Sequence, residues 1–160
     1  VAAHASFAAV WRHVWWNEIT ILLNFFLTTL CYPGMITSIP CRQFLALRKE
    51  SWFQTVLLTV FSFADIVARF FTHRRFCLHH GNVHLTVLVR STLFPLVLYC
   101  ITSPRATDLQ AFVIVGAFGC LNGYSASVSL IVVNEIPDMS DEQRKTAGRI
   151  SACAVNLGLC

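Results

Sequence analysis

The stretch "FADIVARFF", Phe63–Phe71, decides how this chain is read. It lies in one of the most apolar parts of the sequence, yet it holds Asp65 and Arg69 four residues apart. On a helix that spacing puts both charges on one face. The residues around them extend the face: Thr55, Thr59, Ser62, Asp65, Arg69 and Thr72 form one polar stripe along the segment Trp52–Phe71. The opposite face holds Leu57, Leu58, Val60, Phe61 and Ile66, suited to lipid or packed helices.

The composition says what surrounds such a helix. Of 160 residues, 56% are hydrophobic and 12% charged, with a mean hydropathy of +0.62. Soluble domains carry about 25% charged residues, so this chain has too few to wet a surface. The lipid bilayer is its expected solvent. A bilayer core needs about 20 apolar residues per helix. Four segments meet or nearly meet that: residues 19–39, 52–71, 85–101 and 109–133, and a fifth, 147–160, is incomplete. The fold class is therefore all-α, a polytopic membrane bundle of four full transmembrane helices and a partial fifth, as one multi-pass integral membrane unit over 1–160. A soluble all-α domain would need charged outer faces, and these segments are apolar nearly all round. The chain starts at Val1 without an initiator Met and stops at Cys160 inside an apolar pattern, and it is read as a fragment of a larger protein.

The net charge of +4 does not point to nucleic acid: basic residues are scattered, with no run beyond Arg74-Arg75. The basic residues of the connecting loops lean five to four toward placing Thr72–His84 in the cytoplasm. Trp11, Trp15, Trp16 and Glu18 precede the first span and suit its headgroup boundary. The seven cysteines form no CxxC pair; five lie in or at apolar runs, where Cys behaves as a small hydrophobe, and a bridge from Cys41 to another part of the protein is left open. His73, His79, His80 and His84 lack a supporting carboxylate or cysteine pattern, so no metal site is assigned and the loop reads as solvated. No enzyme motif is present, no GxSxG, HExxH or phosphate-cradling Gly-rich loop.

A charge at a membrane helix centre costs about 2.5–3.5 kcal/mol on the insertion scale. Such residues face a bundle interior or a watery cavity and mark a solute path. The competing reading is a buried Asp65–Arg69 pair that only fixes helix packing; the length of the stripe favours the solute path. Gly119, Gly123 and Ser127 make a close-packing face in the fourth span, with Asn122, Ser125 and Ser129 beside it in reach of a cavity. Ala147, Ser151, Ala154 and Gly158 make a small-residue stripe in the fifth. Pro33-Gly34 and Pro95 mark kinks. Arg90 lies one turn into the third span, where it can snorkel to the interface or pair across helices.

Five short motifs in order resemble the C-terminal half of equilibrative nucleoside transporters: "YPG" (32–34), "FSFADIVAR" (61–69), "RSTLFPL" (90–96), "LNGYSAS" (121–127) and "KTAGRISACAVNLGL" (145–159). Ser62 and Ala68 depart from the Asn and Gly common in the family. The resemblance implies a major-facilitator-like fold, of which this chain is helices seven to ten and part of eleven, with a six-helix amino-terminal half as its partner. It implies facilitative transport of nucleosides, with nucleobases as further candidates, by alternating access in the plasma membrane. Asp65 and Arg69 match the pair that engages sugar hydroxyls, with Ser62 and Asn122 as further substrate contacts. Pro33, Gly34, Arg90, Pro95, Gly119, Gly123 and Gly148 are assigned to gating or helix packing. No cofactor is implied, although Asp65 is placed to carry a proton in a coupled member. A transporter of another polar solute, or a non-transporting fragment, are the alternatives.

Overall fold

Proline and paired capping residues, rather than charge, set where the helices of this chain begin and break. The computed structural model describes residues 7–48, 52–74, 78–79, 81–136 and 139–160. Helix α1 runs Phe7–Leu30 and passes into a wide turn, Cys31–Met35, in which Tyr32 leaves helical geometry before Pro33. A short α2, Leu45–Arg48, leads to α3, Trp52–Phe70. Helices α4, His84–Ser91, and α5, Phe94–Thr102, form one rod broken at Thr92-Leu93. Pro95 sits in the first turn of α5, where its missing donor costs nothing. Helix α6, Asp108–Asn134, and α7, Asp141–Leu159, both open on capping boxes, Thr107 with Gln110 and Ser140 with Gln143.

Among the described residues, four stretches are long and apolar enough to cross a membrane: Phe7–Met35, Trp52–His73, His84–Thr102 and Asp108–Asn134. The chain is an integral membrane helical bundle. The bundle is organised around α6, with α1 packed on α7 and on α6, and α3 packed on α6. One core joins Phe53, Leu57 and Phe61 of α3 to Ala111, Val115 and Phe118 of α6, with Val97 and Cys100 of α5. A second joins Val10, Val14 and Ile21 of α1 to Ala147, Ile150 and Ala154 of α7.

Two crossings are tight because glycine permits it. A Cβ on Gly119 would lie 2.4 Å from the Phe61 carbonyl oxygen, and one on Gly123 would lie 2.0 Å from that of Asp65. These two glycines bring the α6 backbone against the turn of α3 that carries the charges. At Gly158 a Cβ would lie 2.7 Å from the Leu22 oxygen, and Thr29 Oγ1 donates to the Gly158 carbonyl. Close backbone approach of this kind is how membrane helices gain packing energy without a hydrophobic drive. No atom lies within 4 Å of a Cβ built on Gly34 or Gly148. Neither glycine therefore serves a close packing contact among the described residues.

Two sequence expectations are corrected. Trp11, Trp15, Trp16 and Glu18 do not precede the first helix but lie within it, and Glu18 is buried between α1 and α7, where Ser151 Oγ donates to its Oε1 at 2.7 Å. Ser125 and Ser129 do not reach a cavity; both are fully buried against α1. Ser125 Oγ donates to Asn24 Oδ1 at 2.6 Å, and the Ser129 carbonyl accepts from Asn17 Nδ2 at 3.0 Å. Among the histidines, His73 Nδ1 lies 2.9 Å from the Phe70 carbonyl, and His80 lies outside the described residues.

The loop between the wide turn and α2 is tied down by Asp108, whose carboxylate accepts backbone N–H bonds from Arg42, Gln43 and Phe44 at 2.7–2.9 Å. Arg42 Nη1 in turn donates to the Cys100 carbonyl at the end of α5. Cys41 Sγ faces the same carboxylate at 3.6 Å. Burial, and then the Asp108 charge, push the Cys41 thiol above its ordinary pKa.

Candidate substrate site: a polar relay behind an ion pair

Asp65 and Arg69 form a two-point ion pair on α3. Arg69 Nε donates to Asp65 Oδ2 at 2.9 Å, and Arg69 Nη2 to Oδ1 at 3.3 Å. The side chains differ in exposure, 45% for Arg69 and 14% for Asp65. The pair is thus open on one side and backed by protein on the other. Its open side is the stripe: Thr55, Thr59 and Arg69 are exposed, and Ser62, Asp65 and Thr72 are half-buried. Phe63, Ile66 and Phe70 stand beside it, 69%, 54% and 76% exposed, so the stripe is flanked by apolar surface.

The protein side of Asp65 is Asn122, whose Nδ2 donates to Asp65 Oδ1 at 2.6 Å. The Gly123 contact on the next residue of α6 is what allows this approach. Asn122 Oδ1 accepts from Thr28 Oγ1 of α1 at 2.7 Å. Thr28 Oγ1 accepts from Arg90 Nη2 of α4 at 2.9 Å. Arg90 Nη1 reaches two oxygens of Asn24, the carbonyl at 2.6 Å and Oδ1 at 2.7 Å. One connected set of hydrogen bonds therefore joins α1, α3, α4 and α6, from a solvent-facing cation to a buried one.

Arg90 is the unexpected member. It does not snorkel: it is 0% exposed and the bulkiest fully buried side chain among the described residues. Its guanidinium lies 4.3 Å over the Phe118 ring, and every hydrogen bond it makes among the described residues goes to a neutral group. A buried guanidinium would cost about 2.5–3.5 kcal/mol at a helix centre. Carbonyl, amide and hydroxyl acceptors and the ring face offset this, each charged hydrogen bond contributing about 1.5–3 kcal/mol. Arg90 Nε and Asn24 Nδ2 have no partner among the described residues.

The remaining sequence candidates divide by position. Ser62 lies one turn from Asp65, its Oγ 3.5 Å from Tyr32 Oη. Pro33 and Gly34 follow Tyr32 in the wide turn, which stacks the Tyr32 ring on Phe61 at 4.8 Å. Gly119 and Gly123 stand directly behind the Asp65 turn. Pro95 breaks the α4–α5 rod beyond Arg90, and Gly148 lies on α7, apart from this cluster. Asn24 and Thr28 did not emerge from the sequence reading. Their signal was present: Asn17, Thr20, Asn24 and Thr28 step by helical intervals along α1, as the α3 stripe does.

The chemistry on offer is neutral overall at the opening. Asp65 presents a carboxylate acceptor and Arg69 presents donors, side by side. This arrangement suits a polyhydroxylated, uncharged solute that can donate to one and accept from the other.

Comparison with known proteins gives several relatives. The chain is 25% identical over 158 residues to "Nucleoside transporter 2" of Leishmania donovani, covering 98% of this chain and 30% of that protein. It is 24% identical over 158 residues to "Nucleoside transporter 2" of Crithidia fasciculata, with the same coverage. It is 25% identical over 136 residues to "Equilibrative nucleotide transporter 8" of Arabidopsis thaliana, covering 84% of this chain and 34% of that protein. The chain thus spans about a third of the length of the curated relatives it matches. No family model and no solved structure matches it.

Proposed function

We propose, from the premise that this chain belongs to the equilibrative nucleoside transporter family, that it forms one wall of a nucleoside path. The protein containing it moves nucleosides down their gradient by alternating access in the plasma membrane. A second bundle of helices closes over the stripe of α3, so that a site near the middle of the membrane opens to one side at a time. Asp65 accepts from sugar hydroxyls and Arg69 donates to their oxygens.

The observation that carries this reading is the Asp65–Arg69 pair itself: two opposite charges held 2.9 Å apart on a membrane helix, one half-open and the other anchored from behind. A pair that only packed the helices of this bundle would face into them, whereas Arg69 faces away from them. Asp65 accepts three hydrogen bonds, from Arg69 twice and Asn122 once.

The test is uptake of labelled adenosine and uridine by the full-length protein in cells lacking other nucleoside transport. Saturable uptake, blocked by excess unlabelled nucleoside and equal at pH 6 and pH 8, is expected. Uptake driven by an inward proton gradient would favour Asp65 as a proton carrier. Saturable uptake of sugars or amino acids instead would favour another polar solute.

A further inference from the structure

We propose that Arg90 is a positioning residue that sets the donor geometry at Asp65 from two helices away, acting through Thr28 and Asn122. The inference rests on the transport reading above. A guanidinium has donors and no acceptor, so the hydrogen bond from Arg90 Nη2 to Thr28 Oγ1, at 2.9 Å, can run only one way. It leaves the hydroxyl proton of Thr28 to donate onward. Two acceptors lie within reach, the Asn24 carbonyl at 2.8 Å and Asn122 Oδ1 at 2.7 Å. The Asn24 carbonyl already receives Arg90 Nη1 at 2.6 Å. The proton is assigned to Asn122 Oδ1, the shorter contact and an acceptor with no other donor among the described residues.

The two ends of an amide are told apart only by their partners. With its oxygen held by Thr28, Asn122 turns its NH2 toward α3, where Nδ2 meets Asp65 Oδ1 at 2.6 Å. The opposite flip would set the amide oxygen against a carboxylate oxygen. Donors thus line up in one direction, from Arg90 through Thr28 and Asn122 to Asp65.

This has a consequence at the open end. Asp65 Oδ1 is loaded by Asn122 Nδ2 and, at 3.3 Å, by Arg69 Nη2, whereas among the described residues Oδ2 carries Arg69 Nε alone. Oδ2 is then the oxygen with capacity for a hydroxyl of the solute. Without the relay, Asn122 is free to flip or withdraw, and the two oxygens lose their distinct roles. Arg90 itself touches nothing at the open face, being 0% exposed.

The experiment measures KM and Vmax for labelled uridine, with membrane abundance, in the full-length protein carrying Arg90→Lys, Thr28→Val, Asn122→Ala and the two doubles with Asn122→Ala. Lysine keeps the charge but not the fork that spans Asn24 and Thr28. The relay predicts that Arg90→Lys and Thr28→Val each raise KM about tenfold, the scale of one charge-assisted hydrogen bond. Neither should raise KM further once Asn122 is alanine. Independent, multiplying effects on KM would overturn the proposal. So would a change confined to abundance and Vmax, which is what a purely structural Arg90 gives. Where Arg90→Lys fails to reach the membrane, the isosteric Thr28→Val with Asn122→Ala decides alone. Wild type that takes up uridine, with Asp65→Asn inactive and KM untouched by Arg90→Lys and Thr28→Val, rejects the relay only. Wild type that takes up no nucleoside rejects the transport reading and the relay with it.

Discussion

Asn122 Nδ2 lies 2.6 Å from Asp65 Oδ1, joining the middle of α6 to the charged turn of α3. The contact exists because Gly123, next to Asn122, lets the two backbones meet where any larger residue would collide with the Asp65 carbonyl. Packing and polar chemistry are thus one feature: the glycine face brings the amide within reach, and the amide holds the carboxylate.

Replacing Asn122 by Asp sets a second carboxylate against the first. Two like charges this close disfavour full ionisation, and one proton is taken up by the pair. Lower pH supplies that proton and restores a donor toward Asp65. Asn122→Asp is therefore expected to transport poorly at pH 8 and better at pH 6, whereas wild type is flat. A pH profile of nucleoside uptake at matched abundance checks this, and a flat, low profile for the variant would argue against the contact.

Gly119→Ala and Gly123→Ala force backbone apart, because a Cβ at either site overlaps a main-chain oxygen of α3. Overpacking of this kind costs about 1–3 kcal/mol. Both variants should show lower thermal stability in detergent, with Gly123→Ala also weakening uptake through Asp65. Gly34→Ala and Gly148→Ala, where a Cβ meets nothing within 4 Å, are the matched controls and should be close to wild type in stability.

Much of this is legible in the sequence itself. The period of Thr55, Ser62, Asp65 and Arg69 marks the polar face, and the four-residue spacing of Gly119 and Gly123 marks the close crossing. What sequence could not supply was partner choice. Arg90 near a helix end reads equally as snorkelling or buried, because both outcomes satisfy the same guanidinium. Only the register of α1 against α4 puts Asn24 and Thr28 under it. Glu18 is a similar case: its tryptophan neighbours are interfacial residue types, but the packing of α7 on α1 is what brings Ser151 to its carboxyl group.

Glu18 gives a separate test of the α1–α7 contact. Glu18→Gln keeps an oxygen for Ser151 and replaces a carboxyl group whose Oε2 has no partner among the described residues by a neutral amide. It should match or exceed wild type in thermal stability. Ser151→Ala leaves Glu18 without its donor and should be less stable, by about 0.6–2 kcal/mol for an interhelical hydrogen bond in a membrane. Detergent melting curves of the two purified variants distinguish them; equal loss in both would deny the bond.

Cys41 reports on the loop clamp. Burial and the Asp108 carboxylate both hold its thiol in the protonated form. Asp108→Asn removes the negative charge, lowers the thiol's pKa and raises the thiolate fraction at any pH below it. Site-resolved alkylation at pH 7.5 should therefore be several-fold faster at Cys41 in Asp108→Asn than in wild type. An unchanged rate would mean that the carboxylate does not govern the thiol.

The central claim is that the Asp65–Arg69 pair binds the solute. Its most direct test is saturable uptake of labelled uridine by full-length Asp65→Asn and Arg69→Ala at membrane abundance equal to wild type. Loss of a charged hydrogen-bonding partner, about 1.5–3 kcal/mol, predicts a fall in Vmax/KM of about tenfold or more in each. Wild-type uptake by both variants would contradict the account and leave the pair as a device for holding α3 to α6.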